Sequence, residues 1–104
     1  MPGKDKMKIT KTDRGFDIIS FKDIYIRKCS IQKSSLATDD AIWIGIDDAD
    51  PQILASKIKQ DGTGWVKYDI PDDVTFITRM HLNRALAEKI LPVLERFVET
   101  GEIV

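Results

Sequence analysis

Leu86, Ile90, Val93, Leu94 and Phe97 recur at helical spacing, with Asn83 ahead of them and Gly101 behind. Asn is a strong N-cap because its side-chain oxygen accepts an orphan backbone N–H, and Gly at the C′ position takes the left-handed conformation that ends a helix. The pattern predicts an amphipathic helix over residues 83–101, whose apolar stripe needs an apolar surface to lie on. The rest of the chain must supply that surface. Pro92 falls inside the helix, where its ring removes one backbone hydrogen bond at a cost of ~3 kcal/mol, so a kink near Leu91 is expected.

Upstream, the period shortens from that of a helix to that of a strand. Residues 15–21 are β-rich, Lys22 and Asp23 read as a short turn, and alternation resumes at 24–27 and runs through Cys29 and Ile31 until Lys33-Ser34-Ser35 breaks it. This is a hairpin. Residues 41–46, Ala-Ile-Trp-Ile-Gly-Ile, are the most β-prone run and read as a central strand, with Gly45 marking a bulge or a close approach. Asp50 followed by Pro51 has the form of an N-cap and first helical residue, which predicts a short helix over 51–59. Strands are expected over 65–70 and 74–80. The fold class is therefore α+β: an antiparallel sheet of about four to five strands packed by the C-terminal helix. Residues 1–14 form an N-terminal arm, flexible or pairing at the sheet edge, ahead of a single domain over 15–104.

Composition narrows the function classes. With 42% hydrophobic and 32% charged residues the chain has enough apolar surface for a core but lacks the long apolar run of a membrane span. A charged N-terminus with no apolar stretch behind it reads as no secretory signal, making cytoplasm the expected location and a membrane partner unexpected. Cys29 and His81 are the only residues of their types, too few ligands for a structural zinc site. Cys29 reads as core filler. The cluster Asp47, Asp48, Asp50 fails the EF-hand test, because Lys59 stands where a loop beginning at Asp48 needs its final Glu. No metal, cofactor or catalytic residue is assigned, and a non-enzymatic role is expected.

The net charge of −1 hides a polarity: residues 1–33 balance at +5, 34–78 at −6 and 79–104 at zero. Such a dipole orients partners but grips a polyanion weakly. Binding of nucleic acid through Lys4, Lys6, Lys8, Lys11, Arg14, Arg27, Lys28 and Lys33, with Tyr25 as a stacking ring, therefore ranks third. Two other surfaces rank higher. Gln32, Lys33, Ser34 and Ser35 at a strand end, with Arg79 and His81 before the helix start, form a candidate site for an anionic small molecule such as a cyclic nucleotide. Tyr25, Arg27, Lys28 and Trp65 form a candidate protein-binding set, since an exposed Trp marks an interface anchor. Sheet edges and the apolar tail Ile103-Val104 leave a homodimer open, with edge pairing as one route.

The stretches Cys29-Ser30-Ile31-Gln32-Lys33-Ser34-Ser35-Leu36-Ala37, Ala41-Ile42-Trp43-Ile44-Gly45, Arg79-Met80-His81-Leu82 and Leu91-Pro92-Val93-Leu94-Glu95-Arg96-Phe97-Val98-Glu99-Thr100-Gly101 resemble a group of small proteins encoded by tailed phages and prophages. The similarity covers about residues 16–46 and 79–102, and 47–73 looks like an elaboration of a shorter loop. The resemblance carries no catalytic residues. It implies a phage-type accessory protein acting in the host cytoplasm, of a kind that binds and blocks a host protein or defence complex.

Overall fold

A computed structural model describes residues 7–104 of the chain. It divides into two compact units: one is formed by the chain up to Asp47 and from Arg79 onward, the other by Asp48–Thr78, within what the sequence pattern runs together as 15–104. Each unit is described by itself. Residues 1–6 of the N-terminal arm, including Lys4 and Lys6, lie outside the described residues.

The larger unit is α+β. Its antiparallel sheet has the order β1 (Lys8–Lys11), β2 (Asp17–Lys22), β3 (Lys28–Lys33), β4 (Ala41–Ile46), β7 (Arg79–Asn83), and the chain ends in α1 (Arg84–Thr100). β4 and β7 are neighbours, so the second unit is inserted between two paired strands. Strand alternation and the register place Ile19, Phe21, Cys29, Ile31, Ile42, Ile44, Ile46, Met80 and Leu82 on one face. The opposite face carries Ser30, Gln32, Trp43, Gly45, Arg79 and His81.

Four local expectations are corrected. Residues 24–27 are a turn and not strand, because the Asp23 carboxylate accepts from the backbone N–H groups of Tyr25 and Arg27, both at 2.9 Å, and Ile26 takes a φ of 65°. An N–H held by a side chain is unavailable to a ladder. The last strand begins at Arg79 instead of 74. Its register runs from Asn83 opposite Ala41 to Arg79 opposite Gly45, and β4 ends one residue further on at Ile46, so 74–77 runs past the end of the strand it would pair with. At Gly45 the pairing is unbroken on both sides, so no bulge forms there.

The fourth correction lies in the inserted unit. In place of a helix over 51–59 the chain forms β5 (Gln52–Leu54), a 3₁₀ turn (Ala55–Lys57) and, antiparallel to β5, β6 (Trp65–Lys67). Asp50 does not cap a helix; its carboxylate accepts from the Gln52 side chain at 2.8 Å. The pairs Ile53–Val66 and Leu54–Trp65 give the extended form apolar cross-strand contacts that a lone short helix lacks. Gly62 closes this hairpin against Ala55, where a Cβ would meet the Ala55 carbonyl oxygen at 2.6 Å.

α1 starts directly from the sheet. Asn83, still extended, accepts from Leu86 N–H at 2.9 Å, and Gly101 ends the helix at φ 78° with its N–H on the Phe97 carbonyl. The helix continues as one segment across Pro92. At about 100° per residue Pro92 shares a face with Glu88, Glu95 and Glu99, opposite the apolar stripe, so the carbonyl it leaves unbonded is on the polar side. No helix among the described residues is long and apolar enough to cross a membrane.

Cys29 and Ala41 are the buried apolar residues of the larger unit, among those described. Burial, and then the nearby Asp23 carboxylate, push the Cys29 thiol above its ordinary range.

Candidate functional site

Four of the proposed ligand-binding residues meet on the polar sheet face. Arg79 on β7 donates from Nη1 to Gln32 Oε1 at 2.8 Å, reaching two strands across. The intervening position in its row is Gly45, and the missing side chain there leaves the path clear. The guanidinium also lies 5.7 Å from the centroid of the Trp43 ring and 3.5 Å from Ser30 Oγ. Ser30 is wholly buried, and its hydroxyl donates to Asp47 Oδ1 at 2.5 Å. One residue pair further along, His81 stacks on Trp43, and its Nε2 shares a 2.9 Å hydrogen bond with Ser34 Oγ. Ser34 also accepts from Leu36 N–H.

Lys33 and Ser35 stand apart from this row. Alternation turns Lys33 to the apolar face, where its ammonium lies 3.3 Å from the Asp40 carboxylate. That carboxylate is also 3.8 Å from Arg84, so the cations beside the helix start already have an anion between them. Ser35 is exposed and, with Thr12, Asp13, Arg14, Phe16, Gln32, Lys33 and Trp43, lines an open depression of about 360 Å³ in which the Asp13 carboxylate stands beside the Arg14 cation. Gln32 and Trp43 belong to both the depression and the Arg79 row.

The protein-binding set divides differently. Tyr25 and Arg27 sit at the β2–β3 tip, Lys28 opens β3 opposite Lys22, and Trp65 begins β6 in the inserted unit, 64% exposed. The tip is built rigidly. Besides its two side-chain bonds, Asp23 accepts through its carbonyl from Ile26 N–H at 3.0 Å and donates its own N–H to the Arg27 carbonyl at 3.1 Å. The Arg27 guanidinium lies 5.3 Å from the Tyr25 ring centroid. On this frame Ile24, Tyr25 and Ile26 are 89, 71 and 72% exposed. A β-branched residue at positive φ is a genuine outlier, costing ~1–2 kcal/mol, and such strain collects where a loop is held for a purpose.

Sequence reasoning missed Trp43 and Ser30 as members of the polar row, and Ile24 and Ile26 as members of the tip. The tip had a local signal, an Asp able to cap two following N–H groups. The row had none, because it depends on which strands become neighbours. Among the described residues no group of three His, Cys, Asp or Glu side chains is placed to hold a metal ion. No protein-family model, no curated protein and no solved structure matches this chain.

Proposed function

We propose that this chain is a non-enzymatic binding protein of phage type that engages a host protein or defence complex through the β2–β3 tip. The observation that carries the reading is the tip itself: three large apolar side chains held out in water on a turn fixed by Asp23, with Ile26 in a left-handed conformation. Exposed apolar surface on an ordered frame suits protein recognition, since little conformational entropy is lost on docking. Tyr25 beside Arg27 supplies the residue types that dominate binding hot spots. The host origin of the partner rests on the resemblance to small phage proteins. The test is capture from host lysate at low salt by the parent chain and by Tyr25→Ala and Ile24→Asp variants of matching circular dichroism. Capture of a partner by the parent and its loss in both variants is expected; no specific partner, or equal capture by all three, overturns the reading.

A second reading is favoured by the convergence of Gln32, Ser34, Arg79 and His81 beside the depression that Arg14, Lys33 and Trp43 line together with Asp13. The chain then sequesters an anionic small molecule, a cyclic nucleotide among the candidates. A ligand present at 100 times its Kd stabilises the fold by ~2.7 kcal/mol, which a thermal-shift screen reads directly. A flat screen across nucleotides removes this reading, as does a shift that survives Arg79→Ala.

A further inference from the structure

The strand register divides the basic residues of the N-terminal third between the two sheet faces. Lys11 and Lys33 turn to the apolar face, and each lies beside a carboxylate, Asp17 at 2.6 Å and Asp40 at 3.3 Å. Lys8, Lys22 and Lys28 turn to the polar face with Arg79 and Trp43. Lys22 and Lys28 are direct cross-strand partners, and Lys8, opposite Ser20, is the diagonal neighbour of Lys22. Like charges so placed repel. None of the three lysines makes an ion pair among the described residues. Of the acids nearby, Asp23 accepts from the backbone of the tip and Asp47 accepts from Ser30.

Toward the other end of the same face lies the depression with Phe16, Gln32 and Trp43 in its lining. An arginine only donates, so the bond from Arg79 fixes the Gln32 amide with its oxygen toward the guanidinium. The Gln32 NH₂ group has no partner among the described residues and is left for an acceptor on a ligand. The Arg14 guanidinium lies 5.6 Å from the Phe16 ring centroid, and Asp13 is the one carboxylate in the lining. From Lys22 back to Phe16, just ahead of β2, the extended chain covers about 20 Å at ~3.3 Å per residue. A free mononucleotide is too short to touch both the lysines and the depression, whereas a chain of nucleotides reaches across.

We propose that the polar sheet face binds single-stranded nucleic acid, with phosphates on Lys8, Lys22, Lys28 and Arg79 and a base at Trp43. Cations that track a backbone, with aromatic rings beside them, suit such a strand because every nucleotide carries a phosphate and every base a π-face. An anionic backbone also offsets the repulsion between Lys22 and Lys28. The ring and the amide donor in the depression call for a planar ring bearing acceptors, which a base supplies and an acidic peptide or a lipid headgroup lacks. The chain's total charge of −1 does not oppose this. At physiological salt, exposed charges more than ~8 Å apart are largely screened, so the grip depends on the face's own groups. The proposal goes beyond the small-anion reading, with which it shares Gln32 and Arg79 but not the ligand. Ile24, Tyr25 and Ile26 of the tip take no part in it.

Fluorescence anisotropy with a labelled twelve-nucleotide single strand, DNA and RNA titrated separately, should show micromolar binding at about 50 mM salt. The logarithm of the binding constant should fall against that of salt with a slope of roughly −3, about 0.7 for each of the four phosphates. Lys22→Glu relieves the lysine repulsion and so keeps the fold; it should weaken binding at least ~5-fold and flatten the slope by about 0.7. Lys89→Glu, the same change of charge on α1, should leave both unchanged. Trp43→Leu, of matching circular dichroism, should weaken binding ~5-fold or more. Absence of strand binding, equal binding by Lys22→Glu or by Trp43→Leu, or equally tight binding of poly-glutamate or of phosphatidylserine vesicles overturns the proposal. Thermal shifts with free nucleotides but no strand binding uphold the small-anion reading alone. Strand binding with a flat nucleotide screen upholds this proposal alone.

Discussion

His81 lies flat on Trp43, with ring centroids 3.9 Å apart and planes 6° from parallel, while its Nε2 is tied to Ser34. The stack joins β7 to β4 on the polar face and sets the orientation of the imidazole. Aromatic pairs of this kind contribute ~0.5–1.5 kcal/mol beyond area burial. His81→Ala is expected to lower the unfolding free energy by about 1 kcal/mol in urea titration. In a Trp65→Phe background, where Trp43 is the remaining tryptophan, the same change should alter the emission spectrum. Unchanged emission would show that the rings are not in contact in solution.

Arg79 ties β7 to β3 across Gly45, and its removal leaves the half-buried Gln32 oxygen without that donor. Arg79→Ala should cost about 1–2 kcal/mol. Arg79→Lys should recover only part of this, since an ammonium lacks the planar fork that serves Gln32 and lies over a ring together. Chemical denaturation of the three proteins side by side gives the ordering.

Ile26 at φ 65° carries strain that a different residue would relieve. Ile26→Asn is expected to raise stability by about 1 kcal/mol, because Asn tolerates the left-handed region and a β-branched side chain does not. Ile26→Gly should gain less, since the unfolded chain gains freedom at the same time. A loss of stability in both variants would mean that the turn adopts another conformation.

Pro92 sits on the polar side of α1, where its missing N–H costs a bond to the Glu88 carbonyl without disturbing the stripe. Pro92→Ala should stabilise the helix by about 1–3 kcal/mol. Thermal unfolding followed by circular dichroism checks the direction; destabilisation would show that the chain uses a bend at this point.

Cys29 is buried, with its thiol pKa raised by desolvation first and Asp23 second. A thiol with a higher pKa folded than unfolded keeps its proton longer in the native state. Its contribution to stability is therefore complete below the ordinary value of 9.0 and declines as pH climbs from there toward the raised folded value. Stability of the parent should fall over that window more steeply than that of Cys29→Ala. Folded protein should also resist alkylation at pH 8, as read by intact mass, and become reactive in denaturant.

Local chemistry determined what the sequence could show. Asn83 and Gly101 mark the ends of α1 because caps act within a few residues, and alternation at 41–46 locates β4 because an apolar strand needs only its own pattern. The same local rules misjudged 24–27, 51–59 and 74–78. There a competing bond from the Asp23 side chain, an apolar partner strand at Trp65–Lys67, and the end of β4 at Ile46 decided the backbone. Tertiary structure alone decided the Arg79–Gln32–Trp43–His81 row. Gln32 and Trp43 lie far from Arg79 and His81 in sequence, and only the pairing of β7 with β4 and of β4 with β3 brings the four side chains onto one face. The sequence determined that α1 has an apolar stripe. Whether its own chain covers that stripe depends on where β7 leaves the sheet, and in this fold it leaves the stripe largely open.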